Sequence, residues 1–256
     1  MWNRMFRKKN GKEKRIVAFV DYESWFYGLE NIHKQKPDIA SWFADLSRRG
    51  RVVDCIFFGD FSNPALKNEI GRIRPYSNKI IETRNPNPKF QKDYTDFIML
   101  DNIYQRALSS SDIDVFVLFS GDGHFSSVAS FLKNYGNVEV GIYGVSGAFS
   151  NLLKNSCDWW AEVPSKASRK NYVYELLFSA MREAEKNKSN LVHSAQIVDS
   201  VVKKHQLPAE EVKSCLQELI DKGLIAKQGL IVNKNEQVIV LRPFWDEIKA
   251  AGFARV

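Results

Sequence analysis

Cysteine is scarce: Cys55, Cys157 and Cys215 lie far apart and form no CxxC pair. That spacing excludes a disulfide framework and argues against a zinc site, leaving buried, reduced thiols as the reading. Long apolar runs are lacking too. No window reaches the roughly 18 uninterrupted apolar residues of a membrane span. The Arg- and Lys-studded start, Met1 to Arg15, is followed by no apolar stretch of signal-peptide length. A cytoplasmic protein without membrane contact is therefore expected. There is no internal repeat, no low-complexity tract and no GxGxxG or Walker motif, which weakens a sheet-edge nucleotide-binding reading.

What is present suits a folded chain. The 256 residues allow one large domain, or a medium and a small one, at roughly 100–200 residues per domain. With 44% hydrophobic and 26% charged residues, a packed core is expected. The net charge of +7 favours polyanionic partners, because Lys and Arg that neutralise phosphates release counterions. Residues 1–15 read as a basic arm, either a solubilising tail or a phosphate-touching one.

From Ile16 the pattern changes. Ile16–Val20 is a continuous apolar run of strand length that stops at Asp21. Val53–Phe58 repeats it and stops near Asp60, and Val115–Phe119 leads into Ser120-Gly-Asp122. Val138–Tyr143 and the shorter Lys79–Thr83 complete the set. Runs apolar on both faces typify central strands of covered parallel sheets. Between them, Ala40–Arg49, Thr95–Leu108 and Ser126–Tyr135 carry apolar residues near a 3.6 period, Phe97 among them, and Ser150–Asp158 also reads as helix. Strand–helix alternation over 16–163 predicts a three-layer α/β sandwich with a mainly parallel sheet. Ligand sites in such sheets lie outside the carboxyl ends of the strands. Asp21, Asp60 and Asp122 fall there, whereas Asp112 and Asp114 precede a strand and belong to the opposite edge.

Around Pro164–Ser168 the composition turns small and polar, as in a linker. Residues 169–256 then predict a small α+β domain. Its helices are Lys170–Lys186, Ser194–His205 capped by Ser194, and Pro208–Lys222 with Pro208 at its first position. Leu224–Ala226, a turn at Gly229, Leu230–Val232 and Gln237–Leu241 read as a hairpin. Three helices and a hairpin make a winged-helix arrangement, which contacts nucleic acid through its third helix and wing. Here these offer Lys213, Gln217, Lys222, Lys227, Gln228 and Lys234. Glu210, Glu211, Glu218 and Asp221 dilute that charge, so protein contact, including a homodimer, stands beside nucleic-acid contact.

Carboxylates gathered from several strands can hold hard divalent cations, which activate water and stabilise charge in phosphodiester hydrolysis. Four segments carry more specific information. They are Phe19-Val-Asp-Tyr-Glu-Ser-Trp25, Lys92-Asp-Tyr-Thr-Asp96, Ser120-Gly-Asp-Gly-His-Phe125, and Ser150-x-x-Leu153 with Cys157-Asp158. In this order they resemble the NYN domain, a branch of the PIN-like nucleases, over about residues 14–163. The resemblance implies a metal-dependent ribonuclease using Mg²⁺ or Mn²⁺, with RNA as partner. By position it implies that Asp21, Asp96 and Asp122 hold the metal. Ser120 would orient the loop or touch phosphate, and Ser150 would hold the last loop.

The sequence departs from the family twice. Ser24 stands where Asn is common three residues after the first Asp, and His124 where a second Asp often follows Ser-Gly-Asp. An imidazole suits Mn²⁺ better than Mg²⁺; His124 could instead position the phosphate or act as a general acid. These departures keep a second reading open, a regulatory nucleic-acid-binding adaptor on a degenerate nuclease scaffold. Each candidate also has a plain structural role. Asp122 could form a turn, Asp96 could serve the helix dipole, and Asp60 could belong to a turn through Pro64. Asp93 is a candidate fourth acid, three residues before Asp96. Lys92 could meet substrate phosphate or pair with Asp96. Tyr22 and Trp25 could stack single-stranded bases or pack on the sheet.

Overall fold

The computed structural model describes residues 13–84, 94–109, 111–186, 193–233 and 236–253. The chain divides into two compact units, Met1–Val163 and Pro164–Val256. No described helix is long and apolar enough to cross a membrane.

In the first unit, β1 (Arg15–Asp21), β2 (Arg51–Gly59), β3 (Lys79–Glu82), β4 (Val115–Phe119), β5 (Glu139–Val145) and β6 (Trp159–Val163) form one sheet. Its order is β3-β2-β1-β4-β5-β6 and every pairing is parallel. Successive side chains of a strand point to opposite faces, and the apolar runs fill both. Ile16, Ala18 and Val20 pack with α1 (Tyr22–Gly28) and α2 (Ile39–Arg48), through Trp25, Trp42 and Leu46. Val17 and Phe19 pack on the other face with α5 (Tyr94–Ser109) and α6 (Ser126–Asn134), through Met99, Ile103 and Leu132. The result is the expected three-layer α/β sandwich. Asp112 and Asp114 lie at its amino edge, where Asp114 accepts from the Arg15 backbone N–H at 2.9 Å and Asp112 from the Arg15 guanidinium at 2.6 Å.

Several local expectations need correction. Two short helices with no predicted counterpart, α3 (Pro64–Lys67) and α4 (Ile70–Ile73), lie between β2 and β3. A 3₁₀ turn, Gly123–Phe125, precedes α6, and α7 covers Asn151–Ser156. Phe97, grouped with the apolar periodicity of α5, stands 66% exposed. The helix has one inward face centred on Met99 and Ile103, and at about 100° per residue Phe97 falls far from it.

The second unit contains α8 (Lys166–Lys186), α9 (Ser194–His205), α10 (Ala209–Asp221), the antiparallel pair β7 (Ile225–Asn233) and β8 (Glu236–Pro243), and α11 (Trp245–Ala250). Val173, Leu177, Phe178, Val201, Val212 and Leu219 build its own core. A bidentate ion pair ties α8 to α10, Arg169 Nε and Nη2 donating to Glu211 at 2.6 and 2.9 Å. Gly229 is no turn: it lies within β7 opposite Ile239. Residue 193, not Ser194, occupies the capping position of α9, and Pro208 caps α10 rather than opening it. The predicted contribution of Lys234 lies outside the described residues.

Candidate metal centre

The strand order reverses direction between β1 and β4. In open parallel sheets that point opens a crevice beyond the carboxyl ends of the strands, where ligands bind. Asp21 ends β1, and Ser120-Gly-Asp122 leaves β4 beside it. Three residues converge there. Asp96, Asp122 and His124 each offer a ligand atom, and these atoms lie within 4.8 Å of one another.

Each member is positioned by its own local chemistry. Asp96 sits in the first turn of α5, whose start is tied to the end of β3 by the Thr83–Thr95 hydroxyl contact at 2.7 Å. Asp122 caps the 3₁₀ turn, its Oδ1 accepting from the His124 backbone N–H at 2.8 Å. The His124 ring stands 3.4 Å from the same oxygen and is 75% exposed. Ser120 is 1% exposed and extends the sheet, its N–H donating to the Tyr143 carbonyl. Its Oγ accepts from the Asp122 backbone N–H at 3.2 Å, so it shapes the loop from beneath. Ser150 holds that loop from the side, donating its backbone N–H to the Gly121 carbonyl at 3.0 Å. The approach requires glycine: a Cβ on Gly121 would lie 2.2 Å from the Ala148 carbonyl oxygen.

Asp21 is 6% exposed and caps α1, accepting from the Ser24 backbone N–H at 2.9 Å. Burial pushes its carboxyl from the usual 3.8 up to about 7, the Ser24 bond opposes the rise, and Asp96, Glu23 and Asp122 add to it. A buried carboxyl whose ionisation is resisted by neighbouring carboxylates gains from a cation among them. The donor set, carboxylate oxygens with one imidazole, fits a divalent ion and favours Mn²⁺ over Mg²⁺ at the histidine. Mg²⁺ or Mn²⁺ thus fits the residues present.

Other candidates do not join this group. Asp60 serves its turn, accepting from both the backbone N–H and the hydroxyl of Ser62. Its backbone N–H donates to Glu23 at 3.3 Å. It also lies near Glu82, whose carboxyl is raised by burial and then by Asp60. Glu23 and Glu82, both passed over in the sequence, thus extend the acidic edge along β1–β3. Glu23 was detectable as the acid two residues after Asp21. Ser24 contributes its backbone to Asp21, and its side chain is exposed. Asp93 and Lys92 lie outside the described residues. The motif residue Asp158 faces the opposite edge, accepting from the Val140 N–H at the start of β5.

The expectation that Tyr22 and Trp25 stack bases is overturned. They are 0% and 1% exposed. Trp25 stacks on Phe119 with ring centroids 4.1 Å apart, and the Tyr22 hydroxyl donates to buried Glu69 at 2.8 Å. Arg72 and Lys36 pair the same Glu69. The spacing of Tyr22, Trp25 and Phe26 is that of a helix face turned to the core.

The NYN domain family model matches residues 15–162. A crystal structure of a protein of unknown function from Vibrio parahaemolyticus shares the fold at a TM-score of 0.55 and 19% identity, covering 61% of this chain and 97% of that one. No curated protein matches the sequence. The sheet, the acids at its switch point and the family match agree: over residues 15–162 this chain belongs to the NYN domain family, with its PIN-like nuclease fold.

Proposed function

We propose that this protein is a divalent-metal-dependent ribonuclease. The convergence of Asp96, Asp122 and His124 within 4.8 Å carries the reading, with Asp21 adjoining them in the same electrostatic field. Asp21, Asp96 and Asp122 would hold the ion, with His124 as an added ligand or as a donor to the phosphate. A divalent ion there supplies an acidified water and a counter-charge for the phosphoryl oxygens. The chain supplies geometry. Ser120 and Ser150 fix the Gly121–Gly123 loop, so that Asp122 does not reorganise during reaction. Asp21, whose carboxyl is raised to about 7 by burial, would give up its proton on binding a cation and so add a full negative charge beside it.

The second unit reads as a winged helix that captures substrate. Three helices, a hairpin and a bridge between His193 and Val240 support that reading. A groove there is lined by Ser194, Gln196, Lys213, Gln217 and Lys227. A regulatory adaptor is the second reading, favoured by exposed His124 at a position where the family often has an acid.

Labelled RNA incubated with Mn²⁺ or Mg²⁺ separates them. Even outer-shell changes at metal sites cost about 10–100-fold, so Asp122→Asn should lower cleavage by at least that factor. Cleavage absent with every ion, or unchanged in the variant, would sink the nuclease reading.

A further inference from the structure

Single apolar side chains in solvent are ordinary, whereas neighbouring ones are informative, and two exposed aromatic residues three positions apart flank Asp96. Tyr94 is 37% and Phe97 66% exposed, both in the first turn of α5. At about 100° per residue, this helix turns Thr95, Met99 and Ile103 inward and sets Asp96 at the border of that face. Phe97 stands roughly 100° further round, and Tyr94 about 60° beyond it. The core is complete without either ring, since Met99 and Ile103 are fully buried. The helix thus carries a carboxylate of the metal group followed, across its open surface, by two aromatic rings.

We propose that Phe97, with Tyr94 beside it, is a stacking platform for an unpaired nucleobase adjoining the phosphate that a cation at Asp96 and Asp122 would hold. The site then takes single strands and rejects duplex. The ligand class rests on the nuclease reading above. Every base offers a π-face, so such stacking tolerates sequence. In a duplex both faces are covered by neighbouring pairs, and a base must be unstacked before it can use the ring. The acids repel phosphate until a cation is bound, whereas stacking attracts the base without regard to charge. The two contributions are therefore separable.

The test uses the full chain and a short single-stranded RNA carrying 2-aminopurine at successive positions, with Ca²⁺ replacing the hydrolytic ion. Wild type and Phe97→Tyr should quench the fluorophore at a defined position. Phe97→Ala should abolish the quenching and bind roughly 5- to 150-fold more weakly, with an unchanged melting temperature because the side chain is exposed. Tyr94→Ala should weaken binding by a smaller factor. The same RNA annealed to its complement should bind at least as weakly as single strand binds Phe97→Ala. Unchanged binding and KM in Phe97→Ala, or equal affinity for duplex, overturns the platform even where RNA is cut. Ring-dependent quenching without cleavage under any divalent ion keeps the platform and removes the nuclease.

Discussion

Asp21 concentrates the conflict between folding and function in one side chain. Buried at the end of β1 among other acids, its carboxyl is raised from 3.8 to about 7. Between those values the folded chain keeps a proton that the unfolded chain has released. This contribution to stability is therefore fully present below about pH 4, declines as pH rises, and is gone above about pH 7. The difference corresponds to roughly 4 kcal/mol. Asparagine keeps the shape and the acceptor for the Ser24 N–H while removing the charge. In chelator at pH 8, Asp21→Asn should raise the melting temperature by several degrees, and the gain should shrink towards pH 4. Added Mn²⁺ should stabilise the native chain strongly at pH 8 and the variant little. Calorimetry at the two pH values decides; a variant less stable than the native protein at pH 8 without metal removes this account of the site.

At the level of elements, the loop from Ser120 to Phe125 is the part that packing cannot move cheaply. Gly121→Ala would set a methyl 2.2 Å from the Ala148 carbonyl oxygen, forcing the loop away from the Phe149–Ser150 turn. Overpacking of this kind costs about 1–3 kcal/mol. The variant should melt lower and respond less to Mn²⁺ than the native chain; an unaltered metal-induced shift in thermal unfolding would show that the loop does not set Asp122. Such backbone proximity cannot be read in a sequence, where Gly121 and Gly123 only mark a turn. The buried strands could be read from the apolar stretches inside them, Ile16–Val20 in β1, Cys55–Phe58 in β2, Val115–Phe119 in β4 and Val140–Tyr143 in β5. Strand β6 escaped because it is an edge strand whose Trp160 is 49% exposed. Helices α3 and α4, four residues each, are too short to show a period. The acids at the strand ends were legible as positions, but not their grouping. That Asp60 turns to Ser62 while His124 meets Asp122 depends on local hydrogen bonds with no sequence period.

Two compact units, each with a core of its own, make the whole molecule divisible. A fragment ending at Val163 should fold, bind the cation and cut RNA on its own. What it should lose is charge-dependent grip. From Pro164 to Val256 there are fifteen Lys and Arg against eleven Asp and Glu, a net +4. Lys213 and Lys227 line one groove together. Each phosphate contact on a single strand steepens the dependence of log K on log salt by about 0.7. If these two lysines each meet a phosphate, the full chain should bind single-stranded RNA with a slope steeper by roughly 1.4 than the fragment. Lys213→Gln with Lys227→Gln should return the full chain to the fragment's slope while leaving cleavage of saturating substrate intact. Fluorescence anisotropy across a salt series measures both. Identical slopes for chain and fragment would instead assign the second unit to protein contact, and sedimentation of the two species would then show whether it pairs with its own copy.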